Sequence, residues 1–421
     1  MPDLSTLLAA AVPWLYLAIV SASAAVTLNA FVPIRRNELL LVPSFLFGTV
    51  AVELAAFGVV LHVLLGAGVV ATDTHTTPVA KVAMGLSVIT VLGLLGLVWQ
   101  GFGAGKTISD ALAPILGRPM RAPSGLWRLL VPFPLRVATS RVTRNVCYAR
   151  TAGTSLRLDV YHPRVEGTQR PAVLYVHGGG WVVGDKREQG VPLMSILSDR
   201  GFVGFSVNYR LSPGATWPDH LVDVKRAVAW VRSQAEVYGV DPARIAICGG
   251  SAGGHLASMV GLTADDRSLQ PGFGEADTSV GAVASLYGVY DLTNASKRQP
   301  DGFHRRLLQP LVMKAFYDEE PERFANASPL HRVVADAPPF FIIHGDRDNL
   351  APLEDARDFA NAMQEVSQRP VVFAEIRGAQ HSFDFFVSPR SLPVLEGVSE
   401  FFEHALGEAA ENPSGQPSTA R

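Results

Sequence analysis

Gly249-Gly250-Ser251-Ala252-Gly253 is the stretch of this chain with the plainest chemical content. A β-branched run, Ile245-Ala246-Ile247-Cys248, leads into Gly-x-Ser-x-Gly, and Leu256 to Val260 suit a helix behind it. That context describes a strand ending in a sharp turn, with the serine at a strained backbone position and a helix starting directly after. Glycine is required at 249 and 253 because a side chain there meets the neighbouring strand or helix. The Ser251 hydroxyl then stands clear of the sheet at a helix N-terminus, where the Ala252 amide faces any developing negative charge. The same five residues also describe a glycine-rich turn with a serine N-cap, so the chemical reading needs partners elsewhere.

A serine hydroxyl is a poor nucleophile near neutral pH unless a base lies within hydrogen-bond reach. His381, in Arg377-Gly378-Ala379-Gln380-His381-Ser382-Phe383, follows the last expected strand and is the candidate base. His404 falls in a terminal helical stretch and reads as a surface position. An acid is offered twice by the loop after Phe341-Ile342-Ile343-His344-Gly345, as Asp346 and as Asp348. Attack on an ester carbonyl also creates an alkoxide that needs two or three fixed N–H donors. His177-Gly178-Gly179-Gly180-Trp181 follows a buried strand about 70 residues ahead of Ser251. Consecutive glycines let the backbone curl, so the expected donors are the amides of Gly179, Gly180 and Ala252, with His177 bracing the loop.

These residues need a sheet to hold them. Thr154 to His162 alternates and ends in a turn at His162-Pro163. Residues 172–176, 204–209, 282–287, 340–344 and 371–376 are short apolar runs, as expected of strands buried on both faces of a mostly parallel sheet. Residues 219–238 carry helical periodicity, and Asp241-Pro242 makes the turn into the serine's strand. Strand and helix alternate, which specifies a doubly wound α/β domain over 145–407. A polar, partly helical insertion at 296–335 is a candidate lid or substrate wall, and 408–421 reads as a disordered tail. The two cysteines, Cys147 and Cys248, imply neither a disulfide framework nor a metal site. A net charge of −2 gives no case for nucleic acid.

The front of the chain is different. Between Met1 and Ala104 the charged residues are Asp3, Arg35, Arg36, Glu38, Glu53, Asp73 and Lys81 only. Apolar runs cover about 7–32, 39–71 and 79–102. Each reaches the ~20 residues a membrane-crossing helix needs, so three spans are expected, at 7–32, 45–70 and 79–102. Arg35 and Arg36 flank the first two spans, and Lys106, Arg118, Arg121 and Arg128 follow the third. The excess of basic residues on those flanks places them, and the large C-terminal part, in the cytoplasm. Glu53 and His62 lie inside the second run and are either functional or bonded across to another helix. Gly101-Phe102-Gly103-Ala104-Gly105-Lys106-Thr107 lacks the first glycine of a phosphate loop and reads as the flexible exit of the third span. The segment 105–144 reads as an interfacial linker or as a helical cap over the active site.

His177-Gly-Gly-Gly-Trp181, Tyr209-Arg-Leu-Ser-Pro213, Asp241-Pro-Ala-Arg-Ile245 and Gly249-Gly-Ser-Ala-Gly-Gly254 together resemble the hormone-sensitive-lipase-type carboxylesterases of the α/β-hydrolase fold. The resemblance spans about 145 to 405. With the apolar N-terminal region it extends to membrane-associated Lip-type esterases of mycobacteria and other actinobacteria, and more distantly to prenylcysteine methylesterases. It implies the chain order serine, acid, histidine, which excludes His344. It also favours Asp348, just ahead of Leu350-Ala351-Pro352, over Asp346, which shapes the turn. The implied protein is a multi-pass serine carboxylesterase of a bacterial cell membrane. It acts on short- to medium-chain or lipid-borne esters without metal or cofactor. An amidase or formamidase, a lipid deacylase, or a membrane interaction protein on the same scaffold are the alternatives.

Overall fold

The computed structural model describes residues 4–35, 37–133, 141–151, 153–164, 167–300 and 302–411. The N-terminal elements are α1 (Leu4–Phe31), α2 (Glu38–Glu53), α3 (Ala55–Ala71) and α4 (Pro78–Leu116). There follow β1 (Arg141–Thr151), β2 (Thr154–His162), β3 (Arg170–Val176), α5 (Val191–Asp199), β4 (Val203–Val207), α6 (Asp219–Ser233) and α7 (Ala235–Tyr238). The serine's strand is β5 (Val240–Gly250), followed by α8 (Ala252–Leu262), β6 (Ala282–Leu286) and α9 (Pro321–Asn326). Last come β7 (Phe340–Gly345), α10 (Leu353–Val366), β8 (Val371–Ile376) and α11 (Ser391–Glu411).

The eight strands form one sheet in the order β1-β2-β4-β3-β5-β6-β7-β8. Only β2 runs against its neighbours; β3 to β8 pair in parallel. Because side chains alternate across a strand, one apolar run feeds two cores. Leu174, Val176, Ile245, Ile247, Phe340 and Ile342 face α6, α8 and α10. Val173, Tyr175, Ala246, Cys248, Phe341 and Ile343 face α5 and α11. This two-sided burial is why the strands read as unbroken hydrophobic stretches, and it places Ser251, Asp348 and His381 at the carboxyl ends of β5, β7 and β8.

The N-terminal region supplies two or three candidate spans. Two helices, Ala10–Phe31 and Pro78–Leu116, are long and apolar enough to cross a membrane, and a third counts if α2 and α3, bent by 80° at Leu54, make one span. Clusters of Tyr16, Val20, Val69, Ala80 and Ala83 at one end and Ala30, Val52, Leu94 and Leu97 at the other set α1 parallel to α4, with α3 running back between them. His62 of α3 is bonded on both ring nitrogens, to Ser23 Oγ of α1 at 2.8 Å and Ser87 Oγ of α4 at 2.7 Å. It therefore fastens the three helices together. α2 closes one end of this bundle through Ala51 and Val52 and turns its other side to the catalytic domain, where Thr49 reaches the His381 carbonyl.

α4 does not end at 102. Thr77 caps its start by accepting from the Ala80 amide, and Gly117 in the left-handed region closes it. The glycines taken as a flexible exit are inside this helix. A Cβ on Gly101 would lie 3.5 Å from the Arg390 amide and one on Gly105 3.6 Å from Pro393, so these small residues allow close packing on α11 and the turn before it. Beyond them Ile108 and Leu112 are fully buried in the α5/α11 core, worth roughly 1.5–3 kcal/mol each.

The described part of the segment after α4 is docked to the domain. Arg118 and Arg121 pair with Glu400 and Glu403, Ser124 with Glu396, and Arg128 with Asp199. Residues 134–140 of the expected linker, Arg36, and 412–421 of the expected tail lie outside the described residues. At the tail, α11 continues to Glu411, past the expected boundary at 408.

A Cβ on Gly397 of α11 would sit 2.3 Å from Ile108 Cγ2. Gly397→Val should therefore destabilise the protein by about 1–3 kcal/mol, read as a lowered Tm. An unchanged Tm would show that α4 does not pack on α11.

Candidate active site

Ser251 sits at φ 58°, ψ −123°, between the end of β5 and the start of α8. A β-carbon on Gly249 would fall 2.5 Å from the Gly253 backbone, and one on Gly253 only 2.0 Å from the Val176 carbonyl oxygen. The strained turn exists because both positions lack a side chain. The Ser251 amide donates to the Leu286 carbonyl, which ties the turn to β6.

Around this serine the structure brings together the expected partners. Ser251 Oγ lies 2.8 Å from His381 Nε2, and His381 Nδ1 lies 2.7 Å from Asp348 Oδ2. The other carboxylate oxygen of Asp348 accepts from the Leu350 and Ala351 amides at 2.8 and 2.9 Å. His344, buried beneath, approaches Asp348 Oδ2 at 3.3 Å. Burial works against charge on Asp348, but the facing His381, together with His344, outweighs it and holds the carboxyl well below its ordinary range. Asp346 accepts from the Gly378 amide at 2.6 Å and so shapes the turn.

Gly179 and Gly180 have φ of +108° and +57°. A Cβ on Gly179 would lie 2.1 Å from the Val183 carbonyl oxygen, so this curl too demands glycine. Among the described residues, the amides of Gly179, Gly180 and Ala252 donate to no protein acceptor. The Gly178 amide, by contrast, is taken by Gln189 Oε1 at 2.8 Å. His177 braces the loop: its Nδ1 bonds the Gly178 carbonyl at 2.7 Å, and its ring stacks on Tyr209, whose hydroxyl donates to the His177 carbonyl. Leu307, from the π-helical segment Phe303–Met313, is the side chain that a Cβ on Gly180 would meet first, at 3.4 Å, so the 296–335 insertion reaches the glycine loop.

Several residues at the site carry no sequence signal. Gln189 links the glycine loop to the histidine loop through Ser382 Oγ. Tyr287, at the end of β6, packs its ring edge-on to His381 with centroids 4.8 Å apart. Phe45 of α2 also meets His381 edge-on, at 5.7 Å, and Thr49 Oγ1 donates to the His381 carbonyl at 3.1 Å. Glu53 is not a lone intramembrane carboxylate. It pairs at 2.8 Å with Arg390 of the catalytic domain and accepts from Ser388 Oγ at 2.5 Å. Among the described residues no group of three or more His, Cys, Asp or Glu side chains is placed to hold a metal ion.

Comparison with known proteins gives the same picture. The BD-FAE family model matches residues 158–363. LipM of Mycobacterium tuberculosis (strain ATCC 25618 / H37Rv), described as a probable carboxylic ester hydrolase, is 38% identical over 96% of this chain and 96% of its own. Among solved structures, a truncated carbohydrate esterase from gut microbiota superposes with TM-score 0.56 at 26% identity, covering 65% of this chain and 99% of that one. Thermogutta terrifontis esterase 2, phosphonylated by sarin, gives TM-score 0.52 at 27% identity over 66% of this chain and 95% of its own.

One further carboxyl lies close to the histidine. Asp384 is buried and accepts a hydrogen bond from the Tyr287 hydroxyl. Burial pushes its pKa up to about 6, against the lowering effect of that bond. Its folded value lies above the unfolded one, so the native state holds the proton longer. Stability from this group is full below the ordinary carboxyl pKa and is lost as pH rises through about 6. Asp348 has the opposite sign: its contribution is present above the ordinary carboxyl pKa and is lost as pH falls through its depressed value. Asp384→Asn should remove the first effect. The Tm of the variant relative to wild type should rise between pH 5 and 7.5, and a pH-independent difference would refute the assignment.

Proposed function

This chain belongs to the hormone-sensitive-lipase-like carboxylic ester hydrolases that carry the BD-FAE domain, and from that premise we propose a membrane-anchored serine carboxylesterase working through Ser251, His381 and Asp348. Ser251 Oγ attacks the ester carbonyl while His381 Nε2 takes the hydroxyl proton. Asp348, charged and buried, stabilises the resulting imidazolium. The amides of Gly179, Gly180 and Ala252 receive the alkoxide. His381 then passes its proton to the departing alcohol, and water repeats the sequence on the acyl-serine. The observation that carries this reading is the unbroken hydrogen-bonded chain from Asp348 through His381 to Ser251, ending beside three uncommitted amides.

Anchoring is supported by the outward faces of the N-terminal helices. Trp14 and Leu28 of α1 and Val82, Leu92 and Trp99 of α4 are exposed, as suits contact with lipid. Arg35 donates to the Asp346 carbonyl, so the basic connection after α1 lies on the catalytic domain's side, the cytoplasmic side by the basic-flank rule. The outer side of α2 presents Leu39, Val42, Leu46, Phe47 and Val50, while its inner side meets His381. The family resemblance favours short- to medium-chain esters, and the apolar outer side of α2 suits esters presented by a lipid surface.

The test is a panel of p-nitrophenyl esters of increasing acyl length, with matched anilides, on the full-length protein. Wild type should hydrolyse esters far faster than anilides. Ser251→Ala should lose activity and fluorophosphonate labelling together, and Asp348→Asn should lower kcat by about 10³–10⁴-fold. Faster turnover of the anilides, or ester hydrolysis surviving Ser251→Ala, would overturn the reading.

A further inference from the structure

The loops that carry the acid and the base are fastened to the N-terminal helices as well as to the sheet. On the acid side, Arg347 donates to the Ala30 carbonyl at 3.0 Å and lies over the Phe31 ring. Asn349 donates to the Ile34 carbonyl at 3.0 Å. On the base side, Thr49 donates to the carbonyl of His381 itself, Phe45 abuts its ring, and the Gln380 carboxamide packs where Gly48 leaves room. Residues 30–53 thus touch the immediate neighbours of Asp348 and His381, the two members of the chain that must keep their spacing.

A plain docking seam would be apolar, and this one is not. Glu53 and Arg390 are both almost wholly excluded from solvent. Arg390 Nε also donates to the Arg377 carbonyl, at the start of the histidine loop. Removing two charges from water costs several kcal/mol per ion, and a buried pair seldom repays this as net stability; its best-attested use is to fix register. Here the register fixed is that of α2 against the histidine loop, because Thr49 lies one helical turn before Glu53 on the same face. A one-residue slip of α2 would remove the hydroxyl from the His381 carbonyl.

We propose that α2 is part of the catalytic scaffold. Thr49 is a positioning residue for His381, and the Glu53–Arg390 pair is the lock that sets it. The N-terminal region is then required for the chemical step as well as for anchoring. This inference rests on His381 being the base.

The test uses full-length protein and a soluble short-chain p-nitrophenyl ester, so that membrane presentation of the substrate plays no part. Thr49→Val should lower kcat about tenfold, the scale of a small displacement of a catalytic group. KM should stay within about twofold, Tm should be unchanged, and Thr49→Ser should restore wild-type kcat. Glu53→Gln should lower kcat at least as much, and its effect should not multiply with that of Thr49→Val, since both act through one histidine. Wild-type kcat in Thr49→Val would overturn the proposal, as would equal loss in Thr49→Ser or fully multiplicative effects. Ser251→Ala assayed alongside separates the two levels: if it stays active the catalytic reading itself fails, whereas if it is dead and Thr49→Val is normal only the role of α2 fails.

Discussion

A carboxylate kept charged without water is the constraint on which this site depends. Asp348 is buried, and its charge survives because His381 faces it, His344 lies beneath it and two backbone amides donate to it. Each partner comes from a different consequence of the fold. The amides belong to the loop that leaves β7, and the His381 imidazole to the loop that leaves β8. Pairing in parallel, register by register from Phe340–Val371 to Gly345–Ile376, brings those two loops out side by side. A shift between the two strands would strand the carboxylate and leave the histidine without an orienting partner, which is the costly outcome for any buried charge.

The serine is delivered by a different constraint, that of backbone meeting backbone. Gly253 lies so close to the Val176 carbonyl that the elbow of β5 and the end of β3 are effectively in contact. The glycine loop begins where β3 ends. The same close approach that strains Ser251 therefore brings the amides of Gly179 and Gly180 to its side. Nucleophile and oxyanion donors are set by one contact between adjacent strands, in which neither Gly249 nor Gly253 has room for a methyl group.

Much of this was legible in the residues. Glycine at forced backbone positions, a serine between two of them, and buried strands written as continuous apolar runs are local signals, and the sheet and the position of Ser251 follow from them. The residues alone leave Asp346 and Asp348 open, and only the family resemblance favours Asp348. What was not legible is longer in range. Hydropathy reports that residues 39–71 are apolar but not what each face meets, so α2 read as half of a span when one side of it lies on His381. Glu53 reads as functional or as bonded to another helix because its partner, Arg390, is 337 residues away in the catalytic domain. The glycines at 101–105 read as the flexible exit of a span because their place inside α4, against Pro389, Arg390 and Pro393, is set by the folded neighbourhood. Gln189 and Tyr287 are ordinary residue types whose roles come only from the folded neighbourhood.

If an ester's acyl group passes through Ser251, full-length protein mixed with a slowly deacylating ester and quenched in acid within the first turnover should carry an acyl adduct on the peptide containing Gly249-Gly250-Ser251, localised to the serine by its fragment masses. Turnover with no adduct there, or an adduct on another residue, would rule out Ser251 as the nucleophile.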